Sequence, residues 1–358
     1  MSRSDETAAS DYKCFNAQVM SDENFEVSWA GALEPDKIRL GSTDCRLGFL
    51  LPSTGEMYTA RPLTPEGAAV NGVALMDQFI AVSTRNEIVV QSREPSVENF
   101  RPKTYVTERG SHGIVATTSG WFVAPVGIEG LLVFDPRLGD TNPISMVTDT
   151  PGEAYYYRTV NLGPTLQGDL LTIALRRGGF GRVTISESGI LGPARFFNHP
   201  NLDVIDVCRW TNIVEPDHPG MAALGRDGSV HFLKDEIEER VRSISFKEFV
   251  GKGQRILASH GYLFLLFSHC LYILTDVPSC LYSRAKNPVE LTGWSLSLEA
   301  VDITIAGDKL LVILHDDIVF IDIKHLSELA GVTEFTIPFV ASQQTWSLAP
   351  PALFHAHV

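Results

Sequence analysis

One arrangement of apolar and polar positions keeps returning along this chain. About five or six apolar residues run into a short polar or glycine-containing turn, and a second apolar run follows. Phe79–Thr84 turns at Arg85 and Asn86 into Glu87–Gln91. Trp121–Val126 turns over residues 127–130 into Leu131–Asp135. Leu170–Leu175 turns over 176–181 into Arg182–Ser186, and Met221–Gly225 turns at 226–228 into Ser229–Leu233. Tyr262–Phe267 turns at Ser268 and His269 into Cys270–Leu274, and Leu310–Leu314 turns at His315 and Asp316 into Asp317–Asp322. β-Branched and aromatic residues on both sides of a tight polar turn predict a β-hairpin each time. No segment has the spacing of a long amphipathic helix; the best candidates, Asp235–Arg242 and Ile323–Leu329, are short, and the acidic start of the first reads as a solvated face or a short helix.

The hairpins recur every 40 to 50 residues or so, the spacing of four-stranded units repeated around a ring. A weaker hairpin, Leu47–Leu51 into Glu56–Thr59, brings the number of units to seven. Ahead of most hairpins lies another apolar stretch, such as Ser111–Ala116 or Ala300–Ile305, expected to be the innermost strand of its unit. The reading is all-β: a single β-propeller of seven four-stranded blades over 25–340. A polar N-terminal segment (1–24) precedes it and a C-terminal tail (341–358) follows. The ring is expected to close by pairing a strand from Thr333–Val340 with Phe25–Trp29 or Phe15–Met20, which leaves only short sheet edges.

The chain has 358 residues, 44% hydrophobic and 20% charged, enough apolar surface for a full core. Its 29 basic and 43 acidic residues leave a net charge of −14, which argues against a dedicated nucleic-acid binder and against anionic membranes. Met1–Ser21 lacks the apolar stretch of a signal peptide, and Tyr262–Leu274 is too short to span a bilayer. The five cysteines are odd in number, irregularly spaced and without a C-x-x-C pair, and no glycosylation acceptor occurs. Together these fit reduced thiols in a cytoplasmic protein with no disulfide framework.

In its period and hairpins the chain resembles the seven-bladed β-propeller superfamily, in its WD-repeat-like group, over nearly its whole length. The Trp-Asp and Gly-His dipeptides of a typical WD blade are absent; reversed pairs stand at His112-Gly113 and His260-Gly261. The resemblance implies an interaction platform rather than a catalyst. The sequence also lacks the nucleophile elbow, the zinc-protease helix motif, the phosphate loop, the EF-hand loop and the dinucleotide fingerprint. No cofactor and no metal site is expected. Asp302, Asp308, His315, Asp316, Asp317 and Asp322 crowd the last unit, but strand alternation and opposite turns send them apart.

The sharpest local feature is Arg176–Arg182, with three arginines, three glycines and a phenylalanine. Arginine and aromatics dominate protein hot spots, so a protein partner is the first reading; nucleic acid through Arg176, Arg177 and Arg182 is the lesser one. Equivalent hairpin turns of a propeller emerge on one face. Arg85, Asn86, Glu129, Arg177, Phe180, Arg226, Asp227, His269, His315 and Asp316 would then form one rosette. Arg85, Arg177, Phe180, Arg182, Arg226, His269 and His315 are the expected partner-binding residues. The function expected is a non-catalytic scaffold or recognition subunit of a complex. The alternative is a hydrolase-like enzyme or small-ligand binder using the central channel. Two further features are a long connection over 211–220, a second docking candidate, and Tyr155–Tyr157, where alternation buries Tyr156 or both its neighbours.

Overall fold

The computed structural model describes residues 25–34, 36–52, 57–59, 68–93, 103–107, 111–137, 155–198, 202–210, 220–233, 241–245, 252–274, 291–295, 299–314, 318–323, 340–343 and 347–348. Apart from one residue at 323 in a 3-10 turn, regular structure in these residues is all strand, in seven antiparallel sheets. Sheet 1 holds β1 (Val27–Glu34), β2 (Lys37–Ser42), β3 (Leu47–Leu50) and β4 (Met57–Thr59). Sheet 2 holds β5 (Val70–Leu75), β6 (Phe79–Thr84), β7 (Glu87–Ser92) and β8 (Lys103–Val106). Sheet 3 has β9 (Val115–Ala116), β10 (Phe122–Pro125) and β11 (Leu131–Phe134). Sheet 4 runs β12 (Arg158–Thr165), β13 (Gly168–Ala174), β14 (Phe180–Ile185) and β15 (Arg195–Asn198). Sheet 5 runs β16 (Val204–Trp210), β17 (Gly220–Gly225), β18 (Val230–Leu233) and β19 (Val241–Ser245). Sheet 6 has β20 (Gly253–Ser259), β21 (Tyr262–Phe267), β22 (Cys270–Leu274) and β23 (Leu291–Ser295). Sheet 7 has β24 (Ala300–Ala306), β25 (Lys309–Leu314) and β26 (Ile318–Asp322).

The first strands of the sheets touch in succession, β1 to β5 to β9 to β12 to β16 to β20 to β24 and back to β1, so the sheets surround a common axis as propeller blades do. Each second strand is sandwiched between neighbouring sheets. β6, β17 and β2 are buried at every position, β10 likewise, and β21 and β25 at all but their first. Burial on both faces requires a nearly continuous apolar run rather than an alternating one. The core lies in the clefts between blades. One cluster joins Cys208, Phe232 and Trp210 of sheet 5 to Ile256, Leu265 and Tyr272 of sheet 6; another joins Val123 and Val133 of sheet 3 to Ile173 and Phe196 of sheet 4.

Three expectations are corrected. The first unit's expected hairpin joins the third and fourth strands of sheet 1, one strand later than in the other units. The equivalent pair is β2 and β3. β2 escapes notice because it carries Lys37 and Arg39, which are buried with their cations over the Phe49 ring, 5.6 and 5.7 Å from its centre. Closure through Phe25–Trp29 as an outer partner is also replaced, because Val27–Trp29 belongs to β1, the innermost strand of sheet 1; the alternative through Phe15–Met20, and 333–339, lie outside the described residues. The C-terminal strands β27 (Val340–Gln343) and β28 (Ser347–Leu348) add to the outer edges of sheets 5 and 4. The expected helix at 235–242 ends in β19, whose Val241 and Arg242 pair with β18; the rest of it, and 324–329, lie outside the described residues.

Candidate functional site

Five first strands carry a β-bulge at the same place, between Val27 and Trp29, Val70 and Gly72, Val204 and Asp206, Gly253 and Arg255, and Ala300 and Asp302. A bulge re-aims the side chain that follows it, and at Asp206, Arg255 and Asp302 that side chain reaches the next blade. Asp206 accepts from the Ile256 N–H at 3.0 Å, and Asp302 accepts from the Ala30 N–H at 3.1 Å. The second of these bonds joins the last sheet to the first, where the ring closes. Arg255 lies 2.7 Å from Asp302 and 3.7 Å from Asp206, and Arg158 lies 3.7 Å from Asp206. Arg158, Asp206, Arg255 and Asp302 thus form a belt of alternating charge across sheets 4 to 7.

At the bulge of sheet 2 the next residue is Gly72, whose backbone packs directly on the start of sheet 3: a Cβ on Gly72 would lie 2.8 Å from the Gly113 Cα. Both belt carboxylates are fully buried. Burial raises Asp206 and Asp302 to about 6, with Arg158 pulling each back down. They are committed to backbone N–H groups and guanidinium partners, so they act as ties between blades.

The turns between second and third strands of sheets 2 to 6 lie at one end of the molecule, because each meets the start of the next blade, as where the Ser111 N–H reaches the Thr84 carbonyl. Gly127 bridges Tyr156 and Arg176 bridges Val204, while the Gly253 N–H reaches the Arg226 carbonyl and the Ala300 N–H reaches that of Ser268. Arg85, Asn86, Arg177, Arg226, Asp227 and His269 are exposed on these turns, and Glu129 is half-buried. His315 and Asp316 lie outside the described residues, as does most of the long 211–220 connection.

Two of the expected contact residues are corrected. Phe180 begins β14 and is wholly buried, its ring stacked on Phe197 with centroids 5.3 Å apart. The glycine-rich turn is therefore shorter than the sequence suggests and ends at Gly179, whose φ of 83° closes it. Arg182 lies inside β14, only 8% exposed and over the Phe197 ring, away from the turns. Of the acids that crowd the last unit, Asp302 is in the belt and Asp308 faces His260 at 3.0 Å in another turn, while His315, Asp316 and Asp317 lie outside the described residues.

Sequence reasoning missed a stack of rings beside the arginines. Tyr156 is buried while Tyr155 and Tyr157 emerge half-buried, as strand alternation requires. His112 sits beside them, 4.5 Å from the Tyr157 ring and 3.4 Å from the Tyr155 hydroxyl, and Arg176 covers Tyr157 at 4.9 Å. Burial first, then Arg158, Arg176 and Arg85, lower His112 to about 4, so it is neutral near pH 7. Asp203 holds Arg176 at 2.9 Å and Arg226 at 3.7 Å. The end of the propeller at sheets 2 to 5 therefore carries Arg85, Arg176, Arg177 and Arg226 together with the half-buried rings of His112, Tyr155 and Tyr157.

A chain of hydrogen bonds in sheet 5, running inward from the exposed Asp227, has the residue types of a hydrolytic triad. Asp227 accepts from the Ser229 hydroxyl at 2.6 Å, Ser229 meets His231 Nε2 at 2.9 Å, and His231 Nδ1 meets Ser243 at 2.7 Å. In a triad the carboxylate orients the imidazole. Here it is bonded to the serine instead, and His231 is 3% exposed, so the chain fastens the 226–228 turn to β18 and β19.

No protein-family model matches the sequence, and no curated protein matches it. Solved structures do. The chain is similar to the WD40 repeats of RRP9 (TM-score 0.59, 11% identity, 90% of this chain and 97% of that one). It is similar to the WD40 β-propeller domain of Doa1 (TM-score 0.59, 11% identity, 88% and 99%) and to U3-55K (TM-score 0.58, 11% identity, 84% and 92%). At this identity the likeness concerns the fold alone.

Proposed function

We propose, from the premise of a WD40-type β-propeller fold, that this chain is a protein-interaction scaffold or recognition subunit of a multiprotein complex. Its docking surface is the end bearing the turns between second and third strands, and its partner presents an acidic segment there. The observation that carries the reading is the gathering of Arg85, Arg176, Arg177 and Arg226 around Tyr155, Tyr157 and His112, in a chain whose net charge is −14. A local basic patch against an acidic whole selects a complementary partner and speeds its encounter. Arginine and tyrosine are also the side chains that dominate measured hot spots. The buried belt supports a rigid platform, in which the turns are displayed with little rearrangement.

The test is capture from native lysate at moderate salt, comparing the wild type with an Arg85→Glu, Arg177→Glu, Arg226→Glu variant. All three residues are exposed, so the variant keeps its fold. A stoichiometric protein present with the wild type and lost with the variant is expected. A partner retained by the variant, or none with either, overturns this surface.

A further inference from the structure

We propose that the outer edges of sheets 4 and 5 form one strand-accepting site for an extended segment of a partner protein, and that residues 340–348 are a detachable strand held there in cis. β27 runs antiparallel along β19, with Val340 opposite Ser245 and Gln343 opposite Arg242. β28 runs antiparallel along β15, with Ser347 opposite Asn198 and Leu348 opposite Phe197. Each is the outermost strand of its sheet and is paired on one side only. Three residues separate the two strands, and four peptide steps reach at most about 14 Å. The two edges are therefore close enough for one extended stretch to serve both.

The edges themselves show why a strand is needed. An open edge presents unpaired N–H and C=O groups to any extended chain, and charged or solvent-facing side chains are a common guard. β8, the outer strand of sheet 2, has that guard: it begins at Lys103, and Tyr105 is the one buried residue in it. β15 is different at its middle. Phe196 and Phe197 are consecutive and so point to opposite faces, yet both are wholly buried. Phe196 joins the cluster of Val123 and Val133 of sheet 3, and Phe197 joins that of Val204 and Met221 of sheet 5. These side chains are committed to the clefts between blades, so the edge offers backbone alone. β19 likewise commits Ser243, which is 2% exposed and bonded to His231.

Recognition at a sheet edge rests on main-chain hydrogen bonds, with side chains adding selectivity, so the strand that fills the edge is replaceable by another of the same spacing. The partner this site fits carries a strand of four residues and a strand of two, three residues apart, with no proline in either. A strand tethered in the same chain competes at an effective concentration on the order of millimolar, which closes the site to weak competitors. A strand paired on one side opens at less cost than a core strand, so 340–348 lifts while the blades stay intact. Arg85, Arg177 and Arg226 stand on turns between second and third strands rather than on these outer edges. The site is therefore distinct from the proposed docking end.

Fluorescence anisotropy tests this with a labelled peptide of the sequence of residues 339–349, titrated with the full chain and with a full-length Ala341→Pro, Ser342→Pro variant. Successive N–H groups of a strand point alternately toward and away from a neighbour, so two consecutive prolines remove a donor facing β19. The variant is expected to bind the peptide at least about tenfold more tightly than the wild type, and a peptide with the same two prolines is expected to bind neither. Equal affinity of variant and wild type, no binding to the variant, or binding of the proline peptide overturns the proposal. Hydrogen exchange of the wild type gives a reading that needs no variant, because the amides of Val241–Ser245 face β18 and β27 in alternation. Those facing β27 are expected to exchange at least about tenfold faster than those facing β18. Equal rates mean that the segment lifts only with the blade, and overturn its detachment. Adding Arg85→Glu, Arg177→Glu and Arg226→Glu to the proline variant is expected to leave the peptide affinity unchanged, so failure of one surface is read independently of the other.

Discussion

At the scale of single residues, chemical type and role part company most clearly at Phe180 and Arg177. They lie three positions apart and both look like contact residues. Phe180 fills the cleft between sheets 4 and 5 with Phe197, Val204 and Met221. Phe180→Ala is expected to cost about 3–5 kcal/mol in urea unfolding, while Arg177→Ala stays within about 0.5 kcal/mol. The belt carboxylates make a second residue-scale prediction. Their folded pKa values are raised to about 6 from a usual 3.8. Between these values the folded state holds protons that the unfolded state has released. The contribution of Asp206 and Asp302 to stability is therefore largest near pH 4, falls as pH rises to about 6, and is flat above. Thermal unfolding from pH 4 to 7 checks this: Asp206→Asn and Asp302→Asn are each expected to remove part of that slope. An unchanged slope in the double variant contradicts the assignment.

At the scale of elements, the second and third strands were legible and the rest much less so. Second strands are buried on both faces, so they are written as apolar runs that stand out in any sequence. First strands carry Asp206, Arg255 and Asp302 toward the neighbouring blade, and outer strands face solvent, as Lys103–Val106 does with only Tyr105 buried. Both break the apolar pattern. The same logic hid β2, where Lys37 and Arg39 are covered by Phe49.

The seam between β24 and β1 is the element on which closure depends. Asp302→Ala removes the acceptor of the Ala30 N–H and leaves Arg255 without the carboxylate at 2.7 Å. A loss of about 3–5 kcal/mol is expected, as for other broken buried pairs, with faster hydrogen exchange at the Ala30 amide. Unchanged exchange there shows that closure rests elsewhere.

For the whole molecule, charge is distributed unevenly: an acidic chain carries a basic, aromatic-edged sector at one end of its propeller. If association runs through that sector, its rate falls as salt rises, because exposed charges are screened over about 10 Å at 0.1 M. Association rates of the captured partner between 50 and 300 mM salt check this, and a salt-independent rate contradicts the surface. The sector was partly legible, since Arg85, Arg177 and Arg226 sit in turns that the hairpin pattern locates. His112 was not, because nothing in sequence brings residue 112 against Tyr155 and Tyr157. That meeting depends on sheets 3 and 4 being neighbours around the ring.

The sequence by itself determined the all-β class, the repeating unit and the positions of six turns, because two-sided burial and tight turns impose local, periodic demands on residue type. Tertiary structure alone decided how the ring closes, which charges meet in the belt, and which blade edges receive β27 and β28. Those outcomes depend on which strands become neighbours and in what register. A shift of one residue in that register reverses the face on which every side chain lies.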